Sequence, residues 1–212
     1  GLYPQRDRAN NIDLLDNSMF TIADAMNKAG YSTILSGKWH LGLAPGHRPT
    51  ERGFKEFYGL LGGCCNAFNP AQQDPDFKGG HYRTFAHNEK LITKFPKDFY
   101  TTDAFTDHAI KHIKKSIKQK KPFFAHITYT APHYPLHAKA EDIAKYRGRY
   151  KDGWHKLRQE RYKRMIEMGV IDKSVKLPPE DKQMKNWDER KNKQWDESLM
   201  EVYAAMIDSM DQ

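Results

Sequence analysis

An α/β domain built on a mostly parallel sheet is the fold class the sequence predicts, and three observations predict it. Two runs rich in β-branched, aliphatic and aromatic residues, Tyr31 to Ser36 and Phe123 to Thr130, each follow an amphipathic helical pattern. Helix then strand, twice over, is the pattern of parallel strands joined by crossover helices. Gly30, Gly37 and Pro122 punctuate the chain where one element gives way to the next.

In the first unit, Ser18 is placed to cap a helix that carries Ile22, Ala25, Met26 and Ala29 on one face, and Gly30 follows where a left-handed residue ends it. The run from Tyr31, containing Thr33, Ile34 and Leu35, suits a buried strand that stops at Gly37. In the second unit, Thr102 or Asp103 opens a lysine-rich helix. Its apolar face is Phe105, Ala109, Ile113 and Ile117, and the basic run Lys111 to Lys121 is its solvated face. The strand Phe123 to Thr130 follows and leads into the loop Ala131-Pro132-His133-Tyr134-Pro135. Residues 139–196 are more charged and richer in tryptophan, and read as an insert or subdomain. Beyond them Leu199, Val202, Tyr203, Met206, Ile207 and Met210 recur at helical spacing, as a core-facing stripe does.

The 212 residues, of which 38% are hydrophobic, suffice for one domain or two small ones. A formal charge of +8 suits an anionic partner, whether nucleic acid, an anionic surface or a sulfated substrate, and its sign does not choose among them. No stretch approaches the roughly 20 apolar residues of a membrane span. Cys64 and Cys65 are adjacent, with no second pair for a disulfide framework or zinc site, and read as ordinary buried or half-buried thiols. The opening Gly1-Leu2-Tyr3-Pro4 lacks the features of a secretory leader, and the last helix is still running at Gln212, so both natural termini are expected to lie elsewhere.

Ligands in open α/β sheets bind beyond the carboxyl ends of the strands. Two parallel strands therefore put Lys38, His40 and His133 on one rim. In an irregular turn a lysine and an imidazole two residues apart can converge on a tetrahedral oxyanion, the lysine contributing on the order of 4 kcal/mol at 4 Å and an effective dielectric near 20. His133, between two prolines, sits in a loop of little conformational freedom and can serve as a general acid near neutrality. On residue types alone, a surface lysine and hydrogen-bonded loop histidines are the commoner occupants of such positions. His108, His112, His126 and His137 read as structural. Asp74-Pro75-Asp76 reads as a turn, no Asp-rich loop offers a hard-cation site, and no nucleophile elbow is present.

Gly30 to His40 matches the second signature of the sulfatase family, Gly-Tyr-x-Thr-x-x-Ser-Gly-Lys-Trp-His, at every constrained position. Arg52-Gly53-Phe54 with Phe57-Tyr58-Gly59, the loop around His133, and Tyr203 to Asp211 resemble further stretches of that family, and the charged part around Tyr150 to Ile171 resembles its arylsulfatase branch. The resemblance implies an alkaline phosphatase-like three-layer α/β/α fold, incomplete here, with residues 1–212 part of one catalytic domain. It implies a parent enzyme that cleaves sulfate esters with a formylglycine nucleophile and calcium.

Gly1-Leu2-Tyr3-Pro4 resembles the continuation of the motif Cys/Ser-x-Pro-x-Arg that is converted to formylglycine, so the nucleophile is expected upstream. The family's early Asp pair, its Asp-Asn pair and the lysine that follows are absent, which leaves no metal ligand in this chain and the 212 residues alone inactive. By resemblance Lys38 holds the sulfate and the formylglycine oxygen, His40 orients or deprotonates the formylglycine hydrate, and His133 binds sulfate and protonates the leaving oxygen, the two histidine roles being exchangeable. The implied partners are a sulfated small molecule or carbohydrate and a formylglycine-generating or maturase enzyme, with no nucleic acid. The implied compartment is secreted, periplasmic or lysosomal. Two rivals remain: a phosphate or phosphonate monoester hydrolase of the same superfamily, and a non-catalytic polyanion-binding module using the net charge with Trp154, Trp187 and Trp195.

Overall fold

The computed structural model describes residues 15–181 and 184–212. The Gly1-Leu2-Tyr3-Pro4 stretch lies outside the described residues. The chain divides into two compact units, through His137 and from Ala138 onward.

The first unit is a five-stranded sheet with helices on both faces. The strands are β1 (Ser32–Lys38), β2 (Glu56–Leu60), β3 (Phe85–His87), β4 (Lys90–Leu91) and β5 (Phe123–Thr128), in the order β4-β3-β2-β1-β5. β1 runs parallel to both β2 and β5, and β3 and β4 close the other side antiparallel. As a central strand between parallel neighbours, β1 buries Thr33 to Gly37 without a break. It continues one residue past the predicted stop, because Gly37 stays in register with Gly59 and Thr128, and Lys38 pairs with Leu60. Gly37 has φ +126°, and a Cβ there would fall 2.0 Å from the Thr128 carbonyl oxygen. Three backbones can close up at that point only because the position carries no side chain.

Helix α1 (Ile22–Lys28) covers one face of the sheet and α2 (Thr101–Lys118) the other. Ala23 of α1 packs with Leu35, Trp39, Phe54, Phe57 and Ala86; on the far face Phe105 of α2 packs with Leu60, Phe85 and Phe99. The alternation of Leu35 and Ser36, and of Phe57 and Tyr58, between these cores is the period-two geometry of a strand covered on both sides.

Helix α1 is capped by Thr21, not Ser18. The Thr21 hydroxyl accepts from the Asp24 amide and the Asp24 carboxylate accepts from the Thr21 amide, each at 3.0 Å. Ser18 is already engaged, its amide and hydroxyl both donating to Asp16. Helix α2 begins at Thr101, one residue before the earlier of the two predicted starts, with the Thr101 amide donating to the Ala67 carbonyl. Its buried face includes Phe105 and Ala109 as predicted but also takes in Thr101, Thr102, His108, His112 and Ser116, while Ile117 is 62% exposed. The strand residues facing that turn are polar: Ser36 donates to the Phe105 carbonyl at 2.7 Å, and Glu56 faces the two histidines.

The second unit contains α3 (Ala140–Ala144), α4 (Gly153–Glu167) and α5 (Lys193–Asp211). Helix α5 forms where the apolar period places it, but the face it buries is Asp196, Glu201, Ala205 and Met206, and Tyr203 and Ile207 are exposed. Polar anchors turn that face inward. Asp196 accepts two bonds from Arg190, Glu201 accepts from the Gly148 amide, and Ser209 donates to Asp142 on α3. Trp187 is buried edge-on against Trp154, with ring centroids 4.9 Å apart, whereas Trp195 is 65% exposed.

Candidate active site

The order of the strands sets the site. β1 and β5 are parallel neighbours, so the loops that leave their carboxyl ends emerge on the same edge of the sheet. Lys38 is the last residue of β1, His40 lies two residues on, and His133 lies five residues beyond Thr128 at the end of β5. The structure thus puts all three predicted residues on one rim. No hydrogen bond or ion pair among the described residues joins one of them directly to another.

Lys38 and His40 are fixed by the neighbouring strands, and His133 by a local turn in which its amide donates to the Thr130 carbonyl. The Thr128 hydroxyl donates to the Lys38 carbonyl at 2.7 Å, tying the end of β1 to β5. The Trp39 amide donates to Leu60 and the His40 amide to Leu61, so the chain leaving β1 is held against the end of β2. Trp39 anchors the turn from below. It is buried against Phe54, and its indole N–H donates to the His47 carbonyl at 2.8 Å. His40 is held at φ +60°, a left-handed conformation that costs an L-residue about 1–2 kcal/mol. Non-glycine residues kept in such regions cluster at functional sites.

Lys38 is half-buried, and burial pushes its pKa below the ordinary lysine value, partly opposed by the nearby Cys64 thiol. Among the described residues no carboxylate pairs with it. A desolvated ammonium without a counter-anion favours binding of an anion from solution. His133 is exposed, and its Nδ1 lies 2.6 Å from the Tyr134 carbonyl oxygen. A carbonyl only accepts, so Nδ1 carries the hydrogen and a neutral ring presents a bare Nε2. The peptide bonds preceding Pro132 and Pro135 are both cis.

Neighbouring groups fall into structural roles. Burial, reinforced by the adjacent Cys64, pushes the Cys65 thiol up to about 12, which leaves it un-ionised and a poor nucleophile. His137 accepts from the Ala67 amide through Nδ1 and offers its carbonyl to the Tyr100 hydroxyl. Asp74 pairs with Arg83, and Asp76 opens a short 3-10 turn. Thr128, Leu60, Leu61 and Cys64 support or border the site; the sequence marks none of them as part of it, and Cys64 reads there only as an ordinary thiol. Each acts through strand pairing or through proximity across the fold, and sequence spacing carries no sign of either. Calcium takes clustered oxygen ligands. Among the described residues no such cluster stands on the Lys38 rim, so the residues present there do not fit that ion.

A three-layer α/β/α unit with a cation and two imidazoles on the carboxyl-end rim of its parallel strands defines the class as an α/β protein with an open-sheet rim. The chain belongs to the sulfatase family, whose model matches residues 1–212. It is 37% identical over 203 residues to an uncharacterised sulfatase of Schizosaccharomyces pombe, an alignment covering 93% of this chain and 36% of that protein. It is 34% identical over 199 residues to an arylsulfatase of Klebsiella aerogenes, covering 93% of this chain and 42% of that one. The crystal structure of Ps i-CgsB in complex with k-i-k-neocarrahexaose superposes with a TM-score of 0.59 at 26% identity, over 92% of this chain and 35% of the other. The chain therefore spans about two fifths or less of the length of these relatives.

Proposed function

We propose that this chain supplies the sulfate-gripping rim of a sulfuric ester hydrolase. The observation that carries the proposal is the placement of Lys38, His40 and His133 beyond the ends of two adjacent parallel strands, with Lys38 half-buried and unpaired by any described carboxylate. In this assignment Lys38 binds the sulfate oxygens. The bare Nε2 of His133 takes up a proton and delivers it to the leaving oxygen as the S–O bond breaks, a contribution typically worth 10²- to 10⁴-fold. His40, held by the Leu61 carbonyl, orients the attacking group or removes its proton. Fixed cations are suited to this chemistry, because negative charge moves onto the bridging oxygen in the transition state.

The sulfatase family implies a metal cofactor. The finer expectation is calcium together with a formylglycine made by a maturation enzyme, both provided by residues outside those described. Residues 139–196 are assigned as an insert within the same catalytic domain. A secreted, periplasmic or lysosomal setting is proposed from the family; among the described residues no helix is long and apolar enough to cross a membrane. One relative is named an arylsulfatase and one matching structure holds a neocarrahexaose. Aryl sulfates and sulfated sugars are accordingly the two substrate classes to test. The full-length protein, co-produced with a formylglycine-generating enzyme, is expected to release sulfate from an aryl sulfate in preference to phosphate from an aryl phosphate. Preferential phosphate release would move the assignment to the phosphomonoester branch.

A further inference from the structure

A second cluster of chemistry-bearing side chains stands at the other end of the sheet. Glu56 opens β2 and pairs with Ile34, four residues before Lys38 on β1, which is about 13 Å along the strand. Facing it from α2 are His108 and His112, one helical turn apart and both buried. His108 Nε2 lies 3.5 Å from Glu56 Oε1, and His112 Nδ1 lies 3.6 Å from Glu56 Oε2. One ligand atom from each of the three falls within 4.8 Å of the others. Metal–ligand bonds of 2.0–2.1 Å in a tetrahedral zinc site put adjacent ligand atoms about 3.3 Å apart, close to both carboxylate–imidazole separations.

The hydrogen bonds around His108 decide what its ring presents. The Ser36 hydroxyl has one proton, donated to the Phe105 carbonyl, so toward His108 Nδ1 at 3.2 Å its oxygen can only accept. Nδ1 therefore carries the hydrogen, and in the neutral ring Nε2 is a bare lone pair. That lone pair faces a carboxylate, also an acceptor, and His108 Nε2 is buried with no hydrogen-bond partner. Two acceptors aimed at one another in a buried space favour a cation between them, either a proton on Nε2 or a metal ion.

The supporting shell is equally fixed. His87 Nε2 lies 2.7 Å from Glu56 Oε1, and Tyr58 stacks on the His108 ring at 5.1 Å. A serine on the far nitrogen of a ligating histidine and a hydrogen bond to the ligating carboxylate are the outer-shell devices that orient metal ligands.

From this geometry we propose that Glu56, His108 and His112 form a binding site for a divalent transition metal of the zinc class. The site is separate from the oxyanion rim and joins β2 to α2. Two imidazoles and one carboxylate suit zinc and its neighbours rather than calcium or magnesium, which take oxygen ligands. A cavity lined in part by Glu56 and His112, together with Lys55 and Lys115, gives the ion a way in and leaves the fourth position to water or an anion. Lys55, Lys115 and Lys121 all line that cavity, so the three ligands must hold the ion against nearby positive charge, and an anion is the better-suited fourth ligand.

The test uses purified full-length protein, stripped with chelator and titrated with zinc chloride or cobalt chloride. The proposal predicts one zinc retained per chain through this site, a zinc-dependent rise in Tm, and the visible bands of tetrahedral cobalt. Glu56→Gln and His112→Gln should abolish the cobalt bands and the zinc-dependent Tm rise while keeping the native circular dichroism. Ser36→Ala, which removes the partner that sets the His108 tautomer, should weaken zinc about 10- to 100-fold. His133→Ala should leave binding intact. Absence of zinc binding to the folded protein, or tetrahedral cobalt bands and a zinc-dependent Tm rise that survive both Glu56→Gln and His112→Gln, would overturn the proposal. If the glutamine variants fail to fold, Ser36→Ala with unchanged zinc affinity would overturn it equally.

Discussion

His40 shows at the scale of one residue how a sequence pattern and a backbone constraint meet. The spacing Lys38-Trp39-His40 is visible in the sequence, and so is the need for an irregular turn if both polar side chains are to be useful. The left-handed φ of His40 is not visible, because it results from the Leu61 carbonyl holding the His40 amide and from Trp39 being buried below. A non-glycine residue kept in that region pays for function with stability. His40→Gly and His40→Ala should both lose turnover, and the glycine variant should be the more stable of the two by about 1 kcal/mol in urea denaturation. Equal stabilities would mean that the backbone relaxes once the imidazole is gone. The carbonyl contact that fixes the tautomer of His133 was likewise illegible, since it depends on how the loop closes.

Elements were legible where their periodicity was strong. β1, β5, α1, α2 and α5 lie where the sequence puts them, within a few residues at their ends. β2 is five residues with a glycine inside, and β3 and β4 are three and two residues. Strands so short carry no alternation to read, and pairing with a neighbour defines them. The rotated faces of α2 and α5 have a common cause: buried hydrogen bonds and charge pairs outweighed the apolar stripe in choosing which side turns inward.

Two outcomes follow at this scale. Gly37→Ala would drive a Cβ into the Thr128 carbonyl and part β1 from β5, costing about 1–3 kcal/mol in chemical denaturation and reducing turnover through the displaced rim. In the second unit, burial raises the pKa of Asp142, and hydrogen bonds from Lys145, Gln212 and Ser209 more than reverse that, leaving it below the ordinary value of 3.8. A carboxylate with a depressed folded pKa contributes stability that is complete above its unfolded pKa and lost as pH falls through the folded one. Asp142→Asn should therefore be less stable than the parent at neutral pH, with the difference shrinking below pH 3.8 in pH-dependent thermal melts. A constant gap across that range would contradict the assignment of the stabilisation to the ionised carboxylate.

Across the whole molecule, family membership rests on matches that run the length of the chain, while the activity proposed rests on one edge of one sheet. Fold and rim were legible together because parallel connection fixes where loops emerge, and because the second sulfatase signature places Lys38 and His40 at such an exit. The cluster at the opposite edge was not legible. Glu56 is remote in sequence from His108 and His112, and the pair of histidines had no context until β2 was seen to lie beneath α2.

The most direct test of a shared oxyanion site is a double-mutant cycle on Lys38→Ala and His133→Ala in the full-length, formylglycine-bearing protein, read as kcat/KM for an aryl sulfate. Two groups that act on one sulfate in one transition state should be strongly non-additive, the double variant losing far less than the product of the single losses. Independent, additive losses, or full turnover without either side chain, would contradict a single sulfate site on this rim.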